Sequence, residues 1–409
     1  MASISPFRAL RPVQQSAAQV ASRPYDVLNS TEARQEAEGN PHSFLHITKS
    51  EIDLPENTDT HSMQVYEKAK TNLQEFIRKG VLLQEEKPLY YIYRLVMNGR
   101  SQTGLVCVSS VDDYEKDIIK KHEFTRPEKE ADRIHHMKTI RAQTGNVFLA
   151  YKNVEAIDRL VEDWKSAHAP LYDFTAEDGI KHTIWAVDDD ASIRAITQSF
   201  AEKVPFTYIA DGHHRAASAA KVRKELGVAA GNSADYFLTT LFPSAELRIL
   251  DYNRLARDLN GASAEEFLNS LQKDFLIGKV DKAFAPARLH EFGMYLDGSW
   301  YQLVAKEGTY VDSDPIGVLD VTILQKNVLD KLLAIKDPRT DKRIDFVGGI
   351  RGLGELEKRV DSGEWRVAFS LYPVSIEQLF AIADSGNVMP PKSTWFEPKL
   401  RDGLLTNLI

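Results

Sequence analysis

The chain has 409 residues, of which 43% are hydrophobic and 27% are charged, and its formal net charge is −8 at pH 7. These values are typical of a globular protein of two or three domains, and the negative charge argues against a general nucleic-acid-binding protein, which would be basic. The single cysteine, Cys107 in an apolar run, excludes a disulfide framework and a multi-cysteine metal site, which fits a reducing compartment.

The N-terminal segment indicates both a location and a first functional loop. Residues 1–8 lack the apolar core of a signal peptide, and no later stretch is long and apolar enough to cross a bilayer, so we expect a cytoplasmic protein without a membrane partner. In Arg23-Pro24-Tyr25-Asp26, the proline keeps Arg23 extended in an ordered loop, where functional groups concentrate. Two interpretations stay open: a local ion pair between Arg23 and Asp26, or a contribution of this loop to a binding site.

The region from 30 to 110 is predicted to be scaffold. Residues 30–38 begin with a capping residue, as expected of a helix, and 63–79 has helical spacing of its apolar residues. Residues 44–48 alternate like a strand. Two further strand-like runs, 89–97 and 102–110, flank Asn98-Gly99, whose tolerance of positive φ predicts a type I′ hairpin turn. Cys107, in the second run, is expected in the core.

A polar cluster precedes the next predicted helix. Pro127 is typical of the first turn of a helix, so the residues before it lie at a helix N-terminus. Polar groups this dense at a loop–helix junction are difficult to use in packing, which favours a functional interpretation. The four residues concerned are His122, Glu123, Thr125 and Arg126. Within the helix, a solvated face with ion pairs better explains Lys129, Glu130 and His135.

The stretch around which a site is predicted to form runs from 206 to 226. Residues 206–210 have the pattern of a strand, Asp211-Gly212 that of a tight turn, and 215–226 that of a helix. The start of a helix offers unpaired N–H groups and the positive end of the helix dipole, which attract anions, phosphate above all. His213, His214 and Arg215 add two imidazoles and a guanidinium to this turn.

A metal site is a weaker interpretation of the histidines, and no residue is predicted as a metal ligand. Adjacent pairs such as His135-His136 and His213-His214 point in different directions, whereas helical metal sites place two ligands on one face. Mg²⁺ held by carboxylates and substrate phosphates fits the sequence better.

The periodicity predicts two domains, an α/β domain over 1–250 and an α+β domain over 251–409. The first continues with strands at 182–187, 236–242 and 247–250 and a helix at 191–203. The second contains helices at 264–273, 322–334 and 376–383, strands at 301–305, 346–347 and 366–372, and a mobile charged loop at 336–345.

The Pro-rich tail at 389–399 is the last candidate. Prolines keep it extended, and Lys392, Ser393 and Thr394 offer a cation and two hydroxyls to an anion, in which case the tail returns to the site of the first domain. The alternative is a tail that Trp395 and Phe396 pin to the surface.

Six short motifs together resemble one prokaryotic family. In chain order they are Arg23-Pro-Tyr-Asp-Val, Asn40-Pro, His122-Glu-x-Thr, Asp132-Arg133, Asp211-Gly-His-His-Arg and Lys392-Ser-Thr-x-Phe-x-Pro-Lys. They resemble the domain-of-unknown-function family 1015, whose members are often labelled SerC-family proteins, and the likeness runs from near residue 4 to near residue 405. The resemblance implies membership and names no reaction.

The central turn is also similar to the phosphate-binding signature of the ParB/sulfiredoxin superfamily, which includes free-serine kinases. This similarity implies a ParB/sulfiredoxin-like mixed-sheet core in which Gly212, His214 and Arg215 bind nucleotide phosphates, with Asp211 and His213 beside the transferring group. The sulfiredoxin cysteine has no counterpart here, so reduction of sulfinic acids is not expected. DNA binding of the ParB type is not expected either, because the charge is acidic and no helix-turn-helix pattern is evident.

These features predict phosphoryl transfer or phosphate-ester hydrolysis on a small hydroxy amino acid, with serine or phosphoserine as the leading substrate. Such chemistry needs positioning and charge neutralisation more than covalent catalysis. The expected cofactors are a nucleotide (ADP or ATP) or pyrophosphate, with Mg²⁺. A non-catalytic nucleotide sensor and a metal-dependent hydrolase are the alternatives, and a homo-oligomer stays open.

Each predicted site residue has an expected part in this chemistry. Arginines neutralise phosphate, Glu123 or Asp211 accepts the hydroxyl proton, and His213 or His214 acts as acid or base. The predicted catalytic residues are Glu123, Asp211, His213 and His214. The predicted phosphate- or substrate-binding residues are Arg23, Tyr25, Asp26, His122, Thr125, Arg126, Arg133, Gly212, Arg215, Lys392, Ser393 and Thr394.

Overall fold

The chain folds as two units. The computed structural model describes residues 1–227 and 231–409. Unit 1 consists of Met1–Leu247 and Pro398–Ile409, and unit 2 of Arg248–Glu397. A second domain over 251–409 is predicted from the sequence, whereas the contacts group Pro398–Ile409 with unit 1. Across the two described ranges, no helix combines the length and apolar character that a membrane crossing needs.

Unit 1 is a mixed α/β structure. Its strands before residue 248 are β1 (Ile4–Ser5), β2 (Leu10–Pro12), β3 (Leu82–Gln84), β4 (Tyr90–Met97), β5 (Arg100–Ser110), β6 (Ile119–Lys120), β7 (Ala142–Gln143), β8 (Val147–Tyr151), β9 (Tyr172–Thr175), β10 (Lys181–Val187), β11 (Thr207–Asp211) and β12 (Tyr236–Pro243). Its helices are α1 (Ala17–Val20), α2 (Ser30–Ala37), α3 (Leu45–Thr48), α4 (Met63–Arg78), α5 (Val111–Glu115), α6 (Pro127–Ile140), α7 (Glu155–Ala167), α8 (Asp190–Lys203) and α9 (His213–Leu226).

The main sheet of unit 1 has nine strands among the described residues, in the order β6-β11-β8-β12-β5-β4-β10-β9, with β1 added to β5. β12 runs parallel to β8 and β6 parallel to β11, and the other pairs are antiparallel. All five residues of β8 are buried, as a strand covered on both faces requires. Helix α9 follows β11 directly in the chain and contacts β8 and β12.

Two local predictions in unit 1 are confirmed. Asn98 and Gly99 have φ of 51° and 77° and join β4 to β5 with Met97 opposite Arg100, as a type I′ hairpin requires. Cys107 is fully buried within the main apolar core.

Unit 2 is an α+β structure around an antiparallel sheet, so the predicted fold class is confirmed. Its strands are β13 (Ile249–Leu250), β14 (Tyr252–Ala256), β15 (Phe275–Val280), β16 (Glu291–Leu296), β17 (Ser299–Ala305), β18 (Ile344–Gly348), β19 (Val367–Leu371) and β20 (Trp395–Phe396). Its helices are α10 (Ala264–Leu271), α11 (Asp320–Leu324), α12 (Leu353–Asp361) and α13 (Ile376–Asp384). The sheet order is β15-β17-β16-β19-β14-β18, and β13 pairs with β20. The last strand of the chain, β21 (Asn407–Leu408), belongs to unit 1 and pairs there with β7.

One local prediction is wrong, and two others differ from the structure in their bounds. Residues 44–48 form helix α3 rather than a strand, because Phe44, Leu45 and Ile47 are all buried and a one-sided strand would expose every second residue. The predicted helix at 322–334 is short: α11 ends at Leu324, and a π-helical segment follows over Gln325–Asp330. Residues 336–343 lie outside helices and strands, as the predicted loop requires, and Ile344 and Asp345 already belong to β18.

Candidate functional site

The turn between β11 and α9 fixes the central motif. The register of β11 on β8 shifts between Ile209 and Asp211, and such a bulge re-aims the side chain beside it. Helix α9 begins at His213 with Gly212 as its N-cap, and this residue has no side chain with which to cap the first N–H groups. Gly212 has φ of 99°, and a Cβ there would lie 3.3 Å from the Cα of Val147, so both conformation and space require glycine.

Arg215 is the centre of a buried charge cluster. Its guanidinium donates to the Asn146 carbonyl, and its Nη2 lies 3.5 Å from Oδ2 of Asp211 and 3.6 Å from Oδ2 of Asp26. Burial lowers the pKa of Arg215, but Asp26 and Asp211 outweigh burial and raise it overall. Arg215 therefore ties the 23–27 loop to the end of β11 and the start of α9.

The C-terminal segment adds two groups to this cluster. Lys399 donates to Oδ2 of Asp211 at 3.1 Å. Burial acts to raise the pKa of Asp211, but Lys399 and Arg215 together lower it far below its usual range, so this carboxylate stays ionised. Asp402 is buried nearby, its Oδ2 has no partner among the described residues, and burial raises its pKa to about 7. Neither Lys399 nor Asp402 is among the predicted site residues.

His213 joins the central turn to the 122–126 loop. Its Nε2 accepts the backbone N–H of His122 at 3.4 Å, and its Nδ1 lies 3.8 Å from Oε2 of Glu123. The rings of His122 and His213 meet edge to face with centroids 4.5 Å apart. Burial lowers the pKa of His122 to about 4 and holds the pKa of His213 well below its usual value, so both imidazoles are neutral at pH 7.

His214 makes a second connection to the same loop. Its Nε2 accepts the backbone N–H of Arg126 at 3.0 Å. Burial is the main cause that lowers the pKa of His214, and the positive charge of Lys129 lowers it further. Thr125 hydrogen-bonds the carboxylate of Glu130, which also pairs with Lys221. The prediction of a solvated Glu130 is therefore wrong, because this side chain is buried between helices α6 and α9.

A cavity of about 760 Å³ lies beside His214. Small-molecule sites usually enclose roughly 300–1,000 Å³. Its walls include Tyr25, Asp26, Glu128, Lys129, Asp132, Arg133, His135 and His214. Helix α6 starts at this wall, and no side chain of the described chain caps its first turn. The cavity therefore combines a free helix start with cations and carboxylates.

Tyr25 and Arg133 form the inner wall of the cavity. The Arg133 guanidinium lies 3.9 Å from the centre of the Tyr25 ring and donates to Asp132 at 2.8 Å, and Tyr66 donates to the same carboxylate at 2.9 Å. Burial raises the pKa of Tyr25 to about 12, which keeps its phenol protonated. A second cavity of about 30 Å³, large enough for one water molecule, lies between Tyr25, Arg133 and Arg215.

Arg23 and the 392–394 segment are not among the residues that form the cluster or line the two cavities of unit 1. Arg23 pairs with Glu36 of α2 and lines neither cavity. The predicted ion pair between Arg23 and Asp26 is therefore wrong, because Asp26 faces Arg215 instead. Lys392, Ser393 and Thr394 belong to unit 2. Within residues 1–227 and 231–409, no three His, Cys, Asp or Glu side chains are arranged to hold a metal ion.

Comparisons with known proteins give one family and several structures. A family model described as "Protein of unknown function (DUF1015)" matches residues 4–322. No curated protein matches the chain. The chain is similar to a free serine kinase in complex with AMP, with 12% identity, a TM-score of 0.37 and coverage of 73% of this chain and 91% of the other.

Two further solved structures are similar to the chain. One is a conserved hypothetical protein from Pyrococcus furiosus, with 13% identity, a TM-score of 0.36 and coverage of 75% of this chain and 95% of the other. The other is SbnI with a C-terminal truncation from Staphylococcus aureus, with 11% identity, a TM-score of 0.36 and coverage of 74% and 87%.

Proposed function

The chain belongs to the DUF1015 family, whose function is unknown, so we propose a function from the site in unit 1. The proposed function is phosphoryl transfer to or from a small hydroxy compound. Serine and phosphoserine are the leading substrates, and a nucleotide or pyrophosphate is the partner in the transfer. One observation carries the proposal. His213 and His214 accept backbone N–H groups of the 122–126 loop, and His213 also lies 3.8 Å from Glu123. This loop leads directly into α6, whose residues Glu128 and Lys129 line the cavity together with His214.

Phosphate binding is assigned to the two helix starts and the cations near them. The N-cap residues of α6 and α9, Arg126 and Gly212, make no side-chain cap, and the first N–H groups and the dipoles of these helices favour an anion. Lys129 lines the cavity, and Arg126 precedes the first turn of α6. The sequence predicts Arg215 as a phosphate ligand. We assign it a positioning role instead, because it is buried against Asp26 and Asp211 at the central turn.

Proton transfer is assigned to Glu123. This exposed carboxylate lies 3.8 Å from Nδ1 of His213, whose Nε2 is occupied by the backbone of His122. Asp211 is the weaker base, because Lys399 and Arg215 hold its pKa far below the usual range. The imidazoles of His213 and His214 are neutral and accept N–H groups, so they position the loop and need not exchange protons themselves.

The cavity also offers ligands suited to Mg²⁺. Asp26 and Glu128 are exposed carboxylates on its wall, and Mg²⁺ in phosphoryl-transfer sites is bound by one or two carboxylates plus substrate phosphates. When bound there, Mg²⁺ would neutralise charge on the transferring phosphoryl group.

An assay in both directions tests the proposal. The full chain is incubated with Mg²⁺, serine and ATP, ADP or pyrophosphate, and phosphoserine is measured by mass spectrometry; the reverse reaction starts from phosphoserine. Glu123→Gln is expected to lower kcat about 100-fold or more, as loss of a general base does. Glu155→Gln, an exposed glutamate at the start of α7, is the matched control and should leave kcat unchanged.

Absence of turnover in both directions would reject the proposal. Tight nucleotide binding by calorimetry without turnover of any small hydroxy acceptor would identify a sensor instead. A stoichiometric transition metal in the purified protein would favour the metal-dependent hydrolase.

A further inference from the structure

Unit 2 buries a guanidinium for which the described residues provide no carboxylate partner. Arg254 on β14 is only 3% exposed. Its guanidinium donates to the carbonyl oxygen of Tyr252 and, at 3.5 Å, to that of Pro391, and it lies 5.2 Å from the centre of the Phe346 ring. Burial lowers the pKa of Arg254 to about 10, so the group remains charged at pH 7, and no carboxylate in the described chain raises it. Carbonyl dipoles alone leave a buried charge largely uncompensated.

A second cation lies on the same side of β14. Tyr252 and Arg254 are two residues apart on one strand and therefore share a face. The ammonium of Lys392 lies 5.5 Å from the centre of the Tyr252 ring, and Lys392 is exposed. The 390–395 loop places Lys392 next to the Pro391 carbonyl that Arg254 contacts. The 390–395 loop is therefore contacted by one buried cation, Arg254, and itself carries one exposed cation, Lys392.

A glycine-rich turn packs against this loop. It connects β18 to α12 and contains Gly348, Gly349 and Gly352. A Cβ on Gly348 would lie 3.0 Å from the ring of Trp395, so only glycine allows this close approach. Gly352 is the N-cap of α12, and no side chain of the described residues caps that helix. The close contact between Gly348 and Trp395 therefore holds the 390–395 loop against the end of β18.

We propose that Arg254 and Lys392, with the 390–395 loop, bind the phosphate group of a small anion, as inorganic phosphate or a phosphate monoester. The anion replaces the 3.5 Å contact of Arg254 with the Pro391 carbonyl and gives the guanidinium the counter-charge that it lacks. Lys392 closes the site from the exposed side. Every residue in this site belongs to unit 2.

Trp395 provides a local reporter for the test. The full chain is labelled with 5-fluorotryptophan, which gives five ¹⁹F resonances for its five tryptophans, and Trp395→Phe assigns the relevant one. Inorganic phosphate and glycerol phosphate are titrated separately at constant ionic strength, with chloride as the control anion. We expect a saturable shift of the Trp395 resonance with either phosphate and none with chloride.

Two variants locate the site. Lys392→Asn, which tolerates the positive φ of this position, should weaken phosphate binding about tenfold or more, whereas Lys282→Asn on the exposed surface of unit 2 should not. Arg254→Met should abolish the shift while the other four resonances keep their positions. If Arg254→Met disturbs all resonances, the comparison of the two lysine variants decides. The proposal is overturned if phosphate gives no saturable shift, if chloride gives the same shift, or if Lys392→Asn binds like Lys282→Asn.

Discussion

Replacing Arg215 by alanine is expected to lower the free energy of unfolding by roughly 3–5 kcal/mol, the cost of breaking a buried ion pair. The guanidinium lies 3.5 Å from Asp211 and 3.6 Å from Asp26. At these distances each attraction has a gross value of about 4–5 kcal/mol at an effective dielectric constant of roughly 20. Desolvation of the guanidinium offsets part of this gain, and Lys399 still pairs with Asp211 in the variant, so the net loss is smaller than the gross sum.

The same substitution has a defined pH dependence. The lowered pKa of Asp211 contributes stability above the unfolded pKa of about 3.9, and this contribution is lost as pH falls through the folded value. Arg215→Ala moves the pKa of Asp211 back towards its ordinary value. The deficit of the variant should therefore be largest at neutral pH and should shrink in acid below about pH 4.

Urea unfolding followed by circular dichroism measures this deficit at pH 7 and in acid. Arg159→Ala is the matched control, because Arg159 pairs with Glu155 on the exposed face of α7, where an ion pair contributes about 0–1 kcal/mol. If Arg215→Ala is as stable as Arg159→Ala at pH 7, the cluster does not hold the site together and Arg215 is available to bind a ligand.

Three further substitutions or reactions test other parts of unit 1. Gly212→Ala should lower the free energy of unfolding by more than Gly179→Ala, because both positions have positive φ but only Gly212 also lacks room for a Cβ; parallel urea titrations compare the two variants. Burial raises the pKa of Asp402 to about 7, so the stability that comes from its protonated form is lost as pH rises towards that value. The Asp402→Asn variant has no such proton to lose. Its free energy of unfolding, measured from unfolding curves, should therefore fall less between about pH 5 and 8 than that of the wild type. Burial likewise raises the pKa of the Cys107 thiol to about 12, so its reaction with a disulfide reagent should be at least about 100-fold slower in the native protein than in urea, and equal rates would contradict a closed core.

The two helix starts at the candidate site could be predicted from local sequence, because residue type and chain direction suffice for them. A strand, a glycine turn and a helix in succession indicate where free N–H groups lie, and Pro127 indicates the second helix start. Which polar groups meet depends on contacts far apart in the chain. His213 and His122 are 91 positions apart, and nothing in their spacing predicts the hydrogen bond between them.

The missed residues show the same limit. Lys399 is 188 positions from Asp211, and Arg254 lies in a strand whose pattern gives no sign that its cation will be buried. Arg23 failed as a predicted partner of Asp26 for the opposite reason. Closeness in sequence suggested a pair, but Glu36 on α2 is the nearer carboxylate once the chain folds.

The pairing of β21 with β7 bears on the order in which the protein folds during synthesis. Unit 2 is continuous in sequence, so it emerges from the ribosome complete while unit 1 still lacks Pro398–Ile409. Asp402 forms an isolated β-bridge with Ser22, and Thr406 forms one with Leu10. The last residues of the chain therefore pair with residues near its start. In a nascent chain that ends before residue 398, β7 would therefore lack its partner strand β21 and would be exposed to chaperones. Asp211 would also lack its ion pair with Lys399.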